Sequence, residues 1–204
     1  MSVDFVVSVR APVALAAVIQ STSQTLGTLL AISRVPELTL VDGREYVRGV
    51  QTDPGHVLQD DALSATTIGE PIPPNSDDRD VGTRFFEMDV AGFSERTRVM
   101  LFDQRMAEWA EKDSLVRAVV SPARTCVGVV LAIGFGLATA IIGKGEIVDD
   151  EIGMLRPAIE DPVTFIKRTR LAEPREDFAH QCERFMRQFP HLNNWPPARR
   201  ILPC

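Results

Sequence analysis

The sequence predicts an α+β fold: a mixed or antiparallel sheet with helices packed on it, in a single domain spanning residues 1–204. Three observations predict it. Short Val-rich runs such as DFVVSVR (4–10) read as strands. An uncharged stretch, 125–143, reads as a helix buried on all sides. Farther on, EPREDFAHQCERFMRQF (173–189) places Phe178, Cys182, Phe185, Met186 and Phe189 on one face of a helix.

Composition sets limits on function. The chain is 45% hydrophobic and 25% charged, ordinary values for a globular protein. Its net charge is −6, which argues against broad nucleic-acid binding, because phosphates require clustered Lys and Arg. An acidic surface suits a basic partner. The three cysteines, Cys126, Cys182 and Cys204, are scattered, as are His56, His180 and His191. None has zinc-site spacing, so free thiols in a reducing compartment are expected, with no metal and no cofactor. The N-terminus lacks a basic leader, and Asp4 and Arg10 interrupt it, so a cytoplasmic address is expected.

Along the chain, 11–33 follows the first strand as a helix, with Pro12 in its first turn and Val13, Ala16, Ala17, Leu26, Leu29 and Leu30 as its buried stripe. Residues 37–51 read as two extended pieces turning at Asp42-Gly43. A long Pro-rich loop is expected over 52–82. Strands follow at 83–90 and 96–103, a short helix at 104–112, and an ambiguous strand or helix at 114–122. After the buried helix come a strand at 145–150, helices at 161–171 and 173–189, and an extended tail. Glu176 and Asp177 fall in the first turn of the last helix, and Arg184 and Arg187 near its end, as the helix dipole prefers.

The 125–143 stretch has three readings. At 1.5 Å per residue it would span roughly 28 Å, close to a bilayer core. It lacks an aromatic belt, and glycines, alanines and threonines dilute it. Gly134-Phe135-Gly136 begins a dinucleotide motif, but the third glycine position is Thr139; Gly143-Lys144 lacks the following Ser or Thr of a phosphate loop. The buried helix is the preferred reading. Gly128, Ala132, Gly136 and Ala140 recur every four residues as a smooth ridge along which another element can approach. Each glycine costs about 1 kcal/mol of helix propensity against alanine, which burial must offset. Gly143 is expected to cap the helix in the left-handed conformation, with Lys144 at the negative end of the dipole.

Catalytic motifs are weak. Asp149, Asp150 and Glu151 stand at a strand end, where sequence neighbours point to opposite faces and do not converge on a metal. NSDDRD (75–80), with Asp77, Asp78 and Asp80, lacks the glycine and distal glutamate of a calcium loop. Ser8, Ser94 and Ser121 lack a nucleophile-elbow context.

The Ala/Gly-rich helix, its glycine turn, EIVDD (146–150) and EDPVTFIKR (160–168) together resemble bacterial polymorphic-toxin immunity proteins of the secretion-system type, including those of type VI secretion. The resemblance covers about 45 of the 204 residues. It implies a cytoplasmic, non-enzymatic α+β protein that binds and neutralises a cognate secreted toxin, through an acidic interface where that toxin is a basic nuclease. The carboxylates expected to meet the partner are Asp77, Asp78, Asp80, Asp149, Asp150 and Glu151. The alternatives are an enzyme or ligand-binding α+β protein whose site assembles in space, around His56 or the carboxylates, and a protein anchored in a membrane through 125–143.

Overall fold

The computed structural model describes residues 4–70, 83–102, 116–149 and 151–196. The helix expected at 104–112 lies outside them.

The main sheet has eight strands. They are β1 (Phe5–Ser8), β3 (Leu38–Asp42), β6 (His56–Val57), β8 (Thr83–Val90), β9 (Arg96–Phe102), β10 (Val116–Pro122), β11 (Ile147–Val148) and β12 (Ile159–Glu160). Their order is β12-β11-β1-β10-β9-β8-β3-β6, and every neighbouring pair is antiparallel. The α+β expectation therefore holds, in its antiparallel form. The ambiguous 114–122 segment contributes the interior strand β10 over Val116–Pro122.

Five helices accompany the sheet: α1 (Leu15–Leu30), α2 (Asp60–Ala65), α3 (Cys126–Ile142), α4 (Pro162–Thr169) and α5 (Phe178–Arg187). The uncharged stretch is α3, and every residue from Cys126 to Ala140 is buried. It lies against β1, β9, β10 and β11 on one side, and α1, α4 and α5 pack against it elsewhere. No helix among the described residues is long and apolar enough to cross a membrane.

The small residues of α3 serve two neighbours. A Cβ on Gly136 would stand 2.5 Å from Ile147 Cδ1 of β11, and one on Gly134 would stand 2.6 Å from Leu26 Cδ2 of α1. One glycine thus admits the sheet and the other admits a helix. Thr125 caps α3, its side chain accepting a hydrogen bond from the Gly128 amide at 3.0 Å.

The helix end differs from expectation. Gly143 is right-handed (φ −81°), and Lys144 takes the left-handed conformation (φ 51°). Space accounts for the glycine at 143: an added Cβ would lie 2.4 Å from Val9 Cγ1. Gly145 is tighter still, since its Cβ would overlap the Ser8 carbonyl oxygen at 1.8 Å.

Other boundaries shift for identifiable reasons. Pro12 precedes the first helix, because β2 (Val13–Ala14) pairs with β7 (Thr67–Ile68) before α1 begins. The early stripe is therefore Leu15, Val18 and Thr22; Ala16 is half-buried and Ala17 exposed. Residues 52–70 hold β6, α2 and β7 rather than open loop, while 71–82 lie outside the described residues. Asp42-Gly43 bends the chain without closing a hairpin. The hairpin forms one step later, between β4 (Glu45–Val47) and β5 (Val50–Asp53), around Arg48-Gly49. Both turn residues have positive φ, 52° and 80°, as a type I′ turn requires. At the other end, α5 begins at Phe178 because Asp177 caps it by accepting from the His180 amide, and Glu176 instead receives the Ser33 hydroxyl. Phe178, Cys182, Phe185 and Met186 are buried as expected, and His180 is exposed. The start of the tail forms a 3-10 turn at Pro190–Leu192 instead of running extended, and 197–204 lie outside the described residues.

Candidate interaction surface

The helices cover one face of the sheet, and the strands alternate accordingly. In β9, Thr97, Val99 and Leu101 are buried, and Arg96, Arg98, Met100 and Phe102 point the other way. The second face carries an unusual line of side chains. Phe85 of β8 is the direct partner of Met100, Met100 of Val119, Val119 of Val6, Val6 of Val148, and Val148 of Ile159. Directly opposed residues share a face. Six consecutive strands thus align one apolar row on the face that no described helix covers, with Phe85 42% exposed at one end, Ile159 52% exposed at the other and the four residues between them half-buried.

Beside Phe85 the same face becomes polar. Glu87 and Asp89 of β8 stand opposite Arg98 and Arg96 of β9. Arg44, in the bend before β4, reaches over to them. It donates to Glu87 Oε2 at 2.8 Å and makes two hydrogen bonds to Asp89. Tyr46 joins through its hydroxyl, which donates to Glu87 Oε2 at 2.7 Å and accepts from Arg96. Burial, and then the hydrogen bond to Glu87, push the Tyr46 phenol above its ordinary range. The Asp89 hydrogen bonds hold the Arg44 guanidinium still more firmly protonated than usual, against the opposing effect of its desolvation. This network fixes the β4–β5 ribbon on the outer face of the sheet.

The carboxylates expected to bind a partner fare differently. Asp77, Asp78, Asp80 and Asp150 lie outside the described residues. Asp149 is 1% exposed, and its two oxygens accept from the amides of Ile152, Gly153, Met154 and Leu155 at 2.6–2.9 Å. It organises the loop between β11 and β12 and cannot reach a partner, which corrects the reading of it as a contact residue. Glu151 is exposed and accepts from the Asp4 amide at 2.9 Å.

The remaining candidates for chemistry do not converge. His56 is exposed on the edge strand β6. Cys126 and Cys182 are buried free thiols, and desolvation raises both, Cys182 strongly, which disfavours the reactive thiolate. Ser8 accepts from the Glu146 amide through its hydroxyl. Among the described residues no three His, Cys, Asp or Glu side chains are grouped to hold a metal ion. A surface cleft of about 650 Å³ carries Arg170, His180, Arg184 and Arg187. Arg184 and Arg187 belong to the last turn of α5, where cations complement the dipole.

Sequence reasoning missed the apolar row and the ribbon. The row depends on which strands become neighbours, and alternation within one strand does not say that. The ribbon did leave a signal, Arg48-Gly49 between two short β-prone pieces, but Asp42-Gly43 is the stronger hairpin dipeptide and drew the turn there.

No family model, curated protein or solved structure matches this chain.

Proposed function

We propose that the chain works by contact, as a non-enzymatic immunity protein that binds and neutralises a cognate secreted antibacterial toxin. The apolar row across six strands of the open sheet face is the observation that carries this reading. A contiguous apolar patch that reaches solvent, as this row does at Phe85 and Ile159 with half-buried residues between, is the kind of surface that marks an interaction site. A row bordered by a hydrogen-bonded charge network has the apolar centre and polar rim of a protein interface. The resemblance of 124–168 to immunity proteins supplies the kind of partner. The net charge of −6 suits a basic toxin, such as a nuclease, by steering its approach.

Co-expression with the product of the adjacent reading frame tests the proposal. The expected result is a stoichiometric complex on size exclusion and restored growth of cells carrying that product. Met100→Glu and Phe85→Asp should weaken both, because each places a charge in the row. Absence of binding at micromolar concentration, together with no protection, overturns the proposal.

A further inference from the structure

We infer that the cleft between α4 and α5, on the helix-covered side of the sheet, is a binding site for a small molecule carrying a phosphate group. The cleft measures about 650 Å³, a usual size for a small-ligand pocket. One wall is the polar stripe of α5 and its cap, where His180, Arg184, Arg187 and Gln188 recur at helical spacing. The other is the chain leaving α4, beginning with Arg170. Two glutamines tie the walls together. Gln188 donates to the Thr169 carbonyl at 2.9 Å, and Gln181 donates to the Glu173 carbonyl at 3.0 Å. The first of these bonds also occupies an acceptor at the end of α4 that would otherwise repel an anion.

The local charge is positive in an acidic chain. Residues 162–196 hold six Lys and Arg against four Asp and Glu, a net +2, while the whole chain is −6. Around the cleft, Arg170, Arg175, Arg184 and Arg187 meet two carboxylates. Glu173 is shared between Arg184 at 3.1 Å and Arg175 at 3.9 Å, and Glu183 lies 4.0 Å from Arg187. The other two acids are engaged elsewhere: Glu176 receives the Ser33 hydroxyl, and Asp177 caps the N-terminus of α5. Glu173 and Glu183 are 70% and 45% exposed. Ion pairs this exposed contribute little in water, so a doubly charged ligand can displace them.

The helix dipole accounts for cations in the last turn of α5, but not for how they are held. Gln181 is fully buried, and its side-chain oxygen accepts from Arg184 Nη1 at 2.9 Å. The same glutamine is fixed by donating to the Leu30 carbonyl at 2.6 Å. Arg187 Nη2 donates to the Pro196 carbonyl at 3.0 Å. These braces hold two guanidiniums in place before a ligand arrives, which reduces the entropy lost on binding. Donor capacity remains. Arg170 is exposed and forms no ion pair among the described residues, and Arg187 Nη1 has no hydrogen-bond partner among them. Forked guanidinium donors match phosphate oxygens better than ammonium groups do. A phosphate group fills only part of the cleft, so the ligand is a phosphate ester rather than the free ion.

The free protein tests this without any protein partner. Amide and His180 ring resonances are followed by NMR during addition of inorganic phosphate and of glycerol 3-phosphate, with ionic strength held constant by chloride. The expected result is saturable shifts confined to 170–172 and 180–188, with the ester binding more tightly than phosphate. Arg170→Gln should weaken binding about fivefold or more at an unchanged melting temperature, because it removes a charge-assisted donor that has no other partner. Arg184→Lys keeps the charge, loses the fork, and should weaken binding by a similar factor. Glu183→Gln should tighten binding about twofold by removing a competing carboxylate, an effect that a purely structural role would not produce. Shifts that chloride reproduces, or parental affinity in both Arg170→Gln and Arg184→Lys, overturn the site. Tighter binding of citrate than of the ester overturns the phosphate class. Each of these outcomes leaves the immunity reading standing, since that reading concerns a protein on the opposite face of the sheet.

Discussion

Arg44 and Asp89 meet through two parallel hydrogen bonds, Nη1 to Oδ1 at 3.0 Å and Nη2 to Oδ2 at 2.7 Å, joining segments 45 residues apart. The fork of a guanidinium matches the two carboxylate oxygens, a fit that lysine cannot reproduce. The Arg44 side chain is 8% exposed, Glu87 13% and Asp89 30%. Removing Arg44 leaves Glu87 and Asp89 with only the longer contacts of Arg96 and Arg98 at 3.9–4.0 Å. Arg44→Ala should cost about 2 kcal/mol, in the range for hydrogen bonds to charged groups, because those cations remain. Urea unfolding measures the loss. Hydrogen exchange should show the β4–β5 amides unprotected while β1 and β10 stay protected. Arg44→Lys should recover only part of the stability.

Tyr46 is the only tyrosine, so absorbance titration follows it alone. Burial and the Glu87 hydrogen bond favour its neutral form. It should lose its proton above the ordinary value of about 10. Because the folded protein holds this proton more tightly than the unfolded chain, the associated stability is complete below about pH 10 and is lost as pH rises through the folded value. Glu87→Gln should bring the titration partway back, since burial, the larger cause, persists. A midpoint at or below 10 in the parent protein would contradict the geometry.

Two glycines near β1 and β11 predict opposite outcomes for the same substitution. Gly145→Ala drives a Cβ into the Ser8 carbonyl, backbone against backbone, with nothing free to yield. It should cost at least the upper end of the roughly 1–3 kcal/mol typical of overpacking. Gly136→Ala would press on the end of the Ile147 side chain, with Val7 Cγ2 at an ordinary 3.5 Å, and gains about 1 kcal/mol of helix propensity. It should be near neutral. Thermal melts of the two variants decide the matter, and equal melting temperatures would refute the assignment.

Asp149 anchors a loop through four amides. Asp149→Ala should cost about 3 kcal/mol or more, because buried donors lose a charged acceptor together. Asp149→Asn keeps one acceptor oxygen and should cost less. Binding of the partner proposed above should be normal in the folded Asn variant, since the side chain is 1% exposed.

The parts legible in the sequence were those whose signal is local. Length and lack of charge marked α3 as interior. Spacing alone placed Phe178, Cys182, Phe185 and Met186 inward. Alternation placed β8 and β9. What stayed hidden depends on partners remote in sequence. Asp149 looks like any surface acid until the four amides that face it are known. The apolar row consists of Phe85, Met100, Val119, Val6, Val148 and Ile159, which no single window contains. Gly143 was correctly expected at the helix end, but for its backbone freedom; the structure requires its lack of a side chain, because Val9 lies where a Cβ would go.

β1 sits between β10 and β11, so the first of the described strands pairs with residues more than a hundred positions later. A nascent chain must keep Phe5 and Val7 waiting until Val120 and Ile147 have emerged. Such distant closures slow folding. Losing β1 would take a strand from the interior of the sheet rather than trim an edge, leaving α3 as the element that still touches both β10 and β11.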